Sequence, residues 1–104
     1  MDWKNEAEYQ QHLVREIYQL LPGKRLIDTI VIVTDPNYLQ GIQDLMVLHH
    51  SKVALLEVKL SEKSKERPNQ RWYVEHWGQY VFSAFIYPEN EKEVLSALQQ
   101  ALAG

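Results

Sequence analysis

The chain of 104 residues has no cysteine, which excludes disulfides and thiolate metal sites. It has no apolar run near the roughly 18 residues of a membrane-spanning helix. Its opening Met-Asp-Trp-Lys-Asn-Glu is polar and lacks the apolar core of a signal peptide. These absences fit a cytoplasmic setting with no membrane partner. Positive charge is not in excess either: 11 Lys and Arg stand against 14 Asp and Glu, a net charge of −3. That balance is a mild sign against nucleic-acid binding, because phosphate contacts need Lys and Arg. No internal repeat, low-complexity tract or domain boundary interrupts residues 1–104. His12, His49, His50 and His76 have no ligand spacing across a helix or strand, and read as structural or solvent-facing. What is present suits one small globular core, with 45% apolar and 24% charged residues.

The apolar spacing predicts the elements. From Asn5 to Leu21, the residues Tyr9, Leu13, Ile17 and Leu20/Leu21 form one helical stripe. Asn5 suits the N-cap, Glu6 and Glu8 suit the first turn, and Pro22-Gly23 ends the helix. Leu26 to Val33 is a β-branched run and predicts a strand, followed by a loop to Gly41. Gly41 to Lys59 predicts a β-hairpin about the turn His49-His50-Ser51-Lys52. Ile42, Met46, Leu48, Val53 and Leu55 share one face of it, and Leu45, Val47, Ala54, Leu56 and Val58 the other. Strands apolar on both faces are expected to be central and covered on both sides. Leu60 to Pro68 is a polar loop, with Pro68 suited to the first turn of a helix reaching Trp77 and capped by Gly78. Tyr80 to Tyr87 predicts a strand, and the strand–helix–strand unit implies a right-handed crossover with parallel pairing. Asn90 and Glu93 read as a capping box before a last helix with Val94, Leu95, Leu98 and Leu102 as its stripe. The expected fold class is α/β, in the order helix, three strands, helix, strand, helix, with a mixed central sheet flanked by helices. Trp3, Trp72 and Trp77 read as core or interface residues rather than base-stacking platforms.

An even-numbered turn centred between His50 and Ser51 makes facing residues sum to 101. Asp44 then faces Glu57, and Lys59 lies two residues on along the same face. Opposed carboxylates on adjacent strands repel, and partial burial makes the unpaired charge costly. A divalent cation between them offsets both effects. Mg²⁺ and Mn²⁺ prefer carboxylate, carbonyl and water oxygens, so the Val58 carbonyl is a further candidate ligand. Such an ion acidifies a bound water and offsets charge on a phosphate, while Lys59 orients that water or stabilises the transition state. Gln70, on the first turn of the following helix, and a first-turn acid of the first helix are placed to join them. The plainer readings are a surface Glu–Lys ion pair for Glu57 and Lys59, and helix-dipole chemistry for Glu6 and Glu8.

Positive charge concentrates beside this group. Lys59, Lys63, Lys65, Arg67 and Arg71 outnumber Glu62 and Glu66, a local net of +3. The stretch is either a solvated loop and helix start or a phosphate-facing patch. Polar residues of the loop before the hairpin, such as Gln40, could line the same site.

Several segments in this order resemble the PD-(D/E)xK nuclease superfamily, in particular its small stand-alone VRR-NUC-type nucleases of phages and bacteria. They are N-E-A-E-Y-Q, D-P-N-Y-L-Q-G-I-Q-D-L with Asp44, L-E-V-K with Glu57 and Lys59, R-P-N-Q-R-W-Y with Gln70, and I-Y-P-E-N-E-K-E-V-L. Together they cover nearly the whole chain. The chain departs at Gln43, where the family usually has proline. The resemblance implies a restriction-endonuclease-like core that hydrolyses DNA phosphodiesters with Mg²⁺ or Mn²⁺. It implies Asp44, Glu57, Lys59, Gln70 and Glu6 as the catalytic set, with Asp44, Glu57, Val58 and Glu6 at the metal. Glu6 fits better than Glu8, because Tyr9 and Leu13 follow it at three and seven residues. Lys63, Lys65, Arg67, Arg71 and Gln40 would contact nucleic acid. The resemblance further implies a homodimer acting on four-way or other branched DNA, in a bacterial cell or phage-infected host. The competing expectation, which Gln43 and the acidic balance favour, is a nuclease-fold module that binds nucleic acid or a protein without cutting.

Overall fold

The hairpin forms in the register set by its turn. Leu45 faces Leu56, Met46 faces Leu55, Val47 faces Ala54, Leu48 faces Val53 and His49 faces Lys52. His50 takes a left-handed φ of 53°, which closes the chain in a two-residue turn. Asp28 holds it there: its carboxylate accepts from His50 Nε2 at 2.7 Å and its carbonyl from the His50 N–H at 3.2 Å.

The computed structural model describes residues 3–104; Met1 and Asp2, at the polar N-terminus, lie outside the described residues. The elements are α1 (Glu6–Leu20), β1 (Thr29–Val33), β2 (Leu45–His49), β3 (Lys52–Val58), α2 (Gln70–Trp77), β4 (Phe82–Ile86) and α3 (Glu91–Ala103). The four strands form one mixed sheet in the order β1-β2-β3-β4. The pairs β1–β2 and β2–β3 are antiparallel and β3–β4 is parallel. Asn5 caps α1 as expected, its Oδ1 accepting from the Glu8 N–H at 2.9 Å.

Leu45, Val47, Ala54, Leu56, Val58 and Ile86 point to one side of the sheet and pack with Tyr9, Leu13 and Ile17 of α1 and Leu98 and Leu102 of α3. All are buried, each side chain contributing roughly 1.5–3 kcal/mol of apolar transfer for the larger aliphatics. The other side is not covered to the same degree, contrary to the double-coverage expectation. Among the described residues its one helix is α2, eight residues long and packed against β3 and β4. Ile30 and Ile32 of β1 remain exposed on it. An open apolar cavity of about 370 Å³ lies between Leu39, Ile42, Met46 and Leu55 on one wall and Tyr73 and Trp77 of α2 on the other.

Further boundaries differ from expectation for local reasons. β1 begins at Thr29 rather than Leu26: Leu26 has a φ of 68° and the Asp28 carboxylate accepts from the Lys24 N–H, making residues 24–28 a turn. Pro68 precedes α2 instead of entering its first turn, because Asn69 occupies the N-cap with a φ of 70°. β4 begins at Phe82 rather than Tyr80, since Tyr80 and Val81 both donate backbone bonds to the Trp77 carbonyl. The Asn90–Glu93 capping box does not form. Asn90 Oδ1 accepts from the Tyr87 N–H at 2.9 Å and its Nδ2 donates to the Phe85 carbonyl, so the side chain closes the turn before the helix.

Candidate functional site

Asp44 sits one residue before β2, on a bend, so the ladder closes at Leu45–Leu56 and the acid stands just beyond it. Thr34 fixes the main chain here. Its N–H donates to the Asp44 carbonyl at 2.9 Å and its hydroxyl to the Gln43 carbonyl at 2.5 Å. The Asp44 side chain reaches across to β3, where Oδ2 accepts from the Val58 N–H at 2.9 Å.

Glu57 lies opposite, only 1% exposed. Its Oε2 accepts from Gln70 Nε2 at 2.8 Å, and its Oε1 meets no N–H or O–H donor among the described residues. The Asp44 carboxylate stands across from it, tied to the N–H of the neighbouring Val58. Burial first, then the Asp44 carboxyl, then the charge of Glu6, push the Glu57 carboxyl up to about 10; Arg67 pulls the other way.

Of the two first-turn acids, Glu6 is the one beside Asp44. Burial and the Asp44 charge raise its carboxyl above the usual range, with Arg67 again opposing. Glu8 is exposed and turned back on the helix start, where its Oε1 accepts from the Lys4 N–H. Gln70 is buried and held at both ends of its amide, with Oε1 accepting from the Arg67 N–H at 2.7 Å. That clamp leaves only the amide nitrogen free to face Glu57.

Lys59 follows Glu57 along the strand, but its ammonium turns toward the loop. Nζ approaches the Glu62 carbonyl at 3.4 Å and lies 5.2 Å from the Phe85 ring centroid. Arg71 sits over the same ring at 4.9 Å. Among the described residues, no ion pair joins Lys59 to Glu57, so a surface Glu–Lys pair is absent. Arg71 is paired with Glu66 and Glu75, and the Glu66 carboxyl is held low, chiefly by that bond. Lys63, Lys65 and Gln40 are exposed. Of the basic stretch, Arg67 is the residue whose charge bears on both Glu6 and Glu57.

Among the described residues no three His, Asp or Glu side chains are drawn together tightly enough to enclose an ion. Asp44 and Glu57 form a pair, with Glu6 further out. The histidines all have other partners. His12 pairs with Glu91, His49 is buried against Thr29 Oγ1, His50 pairs with Asp28, and His76 stacks on Trp72 at 4.6 Å. Trp72 is 58% exposed, so it is not a core residue.

One residue near the site escaped the sequence reading: Ser83, whose hydroxyl accepts from Gln43 Nε2 at 2.8 Å; Thr34, which clamps the Asp44 main chain, belongs to the loop whose polar residues are expected to line the site. Gln43, completely buried, stands out in the sequence only as the departure from the proline of the resembled family. Ser83 carried no signal. Compared with family models, with curated proteins and with solved structures, the chain finds no match.

Proposed function

We propose that this chain is a metal-dependent phosphodiester hydrolase acting on DNA, built on a restriction-endonuclease-like core. The observation that carries the reading is the Asp44–Glu57 pair. Two acids face each other at the sheet end, one of them fully buried with an oxygen that no donor among the described residues meets. Such a group weakens a fold unless a cation completes it. The donors are hard oxygens, which fits Mg²⁺ or Mn²⁺. Asp44 and Glu57 would hold the ion, with the Val58 carbonyl and Glu6 as further ligands. When bound, it supplies Lewis acidity toward a phosphate and a more acidic water. Gln70 keeps Glu57 in its rotamer. Arg67 places positive charge where a phosphate would approach. Lys59 has to swing from the Glu62 carbonyl to reach a reacting phosphate. The order of elements, helix, three strands, helix, strand, helix, also agrees with the resemblance in the sequence.

The resemblance extends the proposal to branched DNA, with Lys63, Lys65, Arg67, Arg71 and Gln40 as contacts, to a homodimer and to a cytoplasmic setting. Among the described residues no helix is long and apolar enough to cross a membrane. The test is Mn²⁺ titration by calorimetry, together with a cleavage panel of single-stranded, duplex, flap and four-way DNA. The expected result is Mn²⁺ uptake that Asp44→Ala abolishes, and cutting that requires the ion. A second reading, a binding module that does not cut, is favoured by the Lys59 ammonium turning away from the carboxylates. DNA binding with neither Mn²⁺ uptake nor cleavage would establish that reading instead.

A further inference from the structure

A glutamine the size of Gln43 is costly to bury completely. Methionine would fill the same space without polar atoms to satisfy. The cost is compounded because Gln43 Oε1 has no partner. The other end of the amide explains the choice. Nε2 donates to Ser83 Oγ at 2.8 Å, and that hydroxyl donates to the Val74 carbonyl at 2.8 Å. Ser83 lies on β4 and faces Leu55, so the Gln43 side chain spans from the start of β2, past β3, to the fourth strand. Val74 lies one turn after Gln70 on the buried side of α2. The contacts close a ring: Asp44 follows Gln43, Gln43 holds Ser83, Ser83 holds α2, α2 presents Gln70, Gln70 holds Glu57, and Val58, next to Glu57, donates its N–H to Asp44.

We infer that Gln43, acting through Ser83, is a positioning residue that fixes the Asp44 carboxylate relative to Gln70 and so sets the spacing of the metal-binding carboxyls. The inference rests on the metal reading above. Its physical basis is direction. Apolar packing of α2 on β3 and β4 resists separation but resists sliding weakly. A two-step hydrogen-bond chain from the residue before Asp44 pins the helix against sliding along the sheet. Groups that orient metal ligands typically change affinity by roughly 10–100-fold when removed.

The experiment compares wild type, Gln43→Met, Ser83→Ala, the double variant and Ser83→Thr, which keeps the hydroxyl. Two quantities are read: the Mn²⁺ dissociation constant by calorimetry, and, without metal, the NMR shift of the Val58 amide proton, which reports the Asp44 carboxylate directly. Gln43→Met and Ser83→Ala are expected to weaken Mn²⁺ binding by about 10-fold or more and to move the Val58 amide. The double variant should be no weaker than either single one, because both break one chain. Ser83→Thr should restore both readouts. The double variant loses no more than a little stability, since Gln43 and Ser83 lose their polar groups together and the Val74 carbonyl keeps the Gly78 N–H; this separates positioning from folding. If Gln43→Met binds Mn²⁺ like wild type, or leaves the Val58 amide unmoved, the positioning role is overturned. If wild type takes up no Mn²⁺, the metal reading fails first, and that appears before any variant is examined.

Discussion

Replacing Glu57 by glutamine should stabilise the metal-free protein, and increasingly so as the pH rises. In the folded chain the Glu57 carboxyl is pushed up to about 10 from its ordinary 4.5, by burial first and then by Asp44. A raised folded-state value means the stability contribution is complete below about 4.5 and is lost as pH rises through about 10. Between those limits each pH unit costs up to about 1.4 kcal/mol, because unfolding lets the carboxyl release its proton. From about pH 5.5 to about pH 8.5 the ceiling is about 4 kcal/mol, a large part of a typical domain stability of about 5–15 kcal/mol. Glutamine has the same shape and carries no proton to lose. Its carbonyl can accept from Gln70 as Glu57 Oε2 does, and an amide NH2 in place of the unpartnered Oε1 can donate to the Asp44 carboxylate. Urea unfolding in chelator, at several pH values, measures the difference. Wild type should lose stability toward alkaline pH, and Glu57→Gln should lose less, by up to about 4 kcal/mol across that range. Added Mn²⁺ should restore wild type and leave the variant unchanged. Parallel curves for the two proteins would refute the account of Glu57 as a buried, proton-holding carboxyl.

The other predictions address single links. Lys59→Ala should slow single-turnover cleavage by roughly 10²–10³-fold while leaving DNA affinity, measured with Ca²⁺, nearly unchanged; a variant that cuts at the wild-type rate removes Lys59 from the chemistry. Glu6→Gln should weaken Mn²⁺ binding in calorimetry, whereas Glu8→Gln should change only helix stability, by about 0.3–1 kcal/mol; equal effects on metal would show the two acids interchangeable. Asn90→Ala should cost about 1–3 kcal/mol in urea unfolding, because the Tyr87 N–H and Phe85 carbonyl lose their partner; a change of a few tenths would mean water replaces the amide at no cost.

The parts legible in the sequence are those set by local rules. The hairpin register followed from an even turn flanked by apolar runs, and it brought Asp44 opposite Glu57 without any long-range information. The Asn5 cap and the apolar stripe of α1 were local in the same sense. What escaped depended on partners outside the element being read. β1 starts late because Leu26 is left-handed and Asp28 turns back on Lys24, and the other oxygen of that carboxylate is taken by His50, 22 residues away. Asn90 abandoned its cap because the backbone at Phe85 and Tyr87 offered it two bonds. The Gln43–Ser83 link joins residues 40 apart, and neither residue type announces the other. The Lys59 rotamer is decided by a loop carbonyl and the Phe85 ring, and a flexible four-carbon stem leaves no trace of that choice in its spacing.

The mixed sheet also divides the site into parts with different lifetimes. Asp44 and Glu57 belong to the hairpin, whose pairing is between near neighbours and closes quickly. Gln70 arrives only when the crossover brings β4 alongside β3, a slower, less local event. In the folded protein the same asymmetry runs in reverse. α2 has eight residues, and the Asn69 side chain makes no hydrogen bond to cap it. Short, uncapped helices open at a free energy well below that of the whole domain. An opening of α2 would release Gln70 and uncover Glu57 while the hairpin beneath stays paired, and so admit protons and ions to a carboxyl otherwise sealed from solvent.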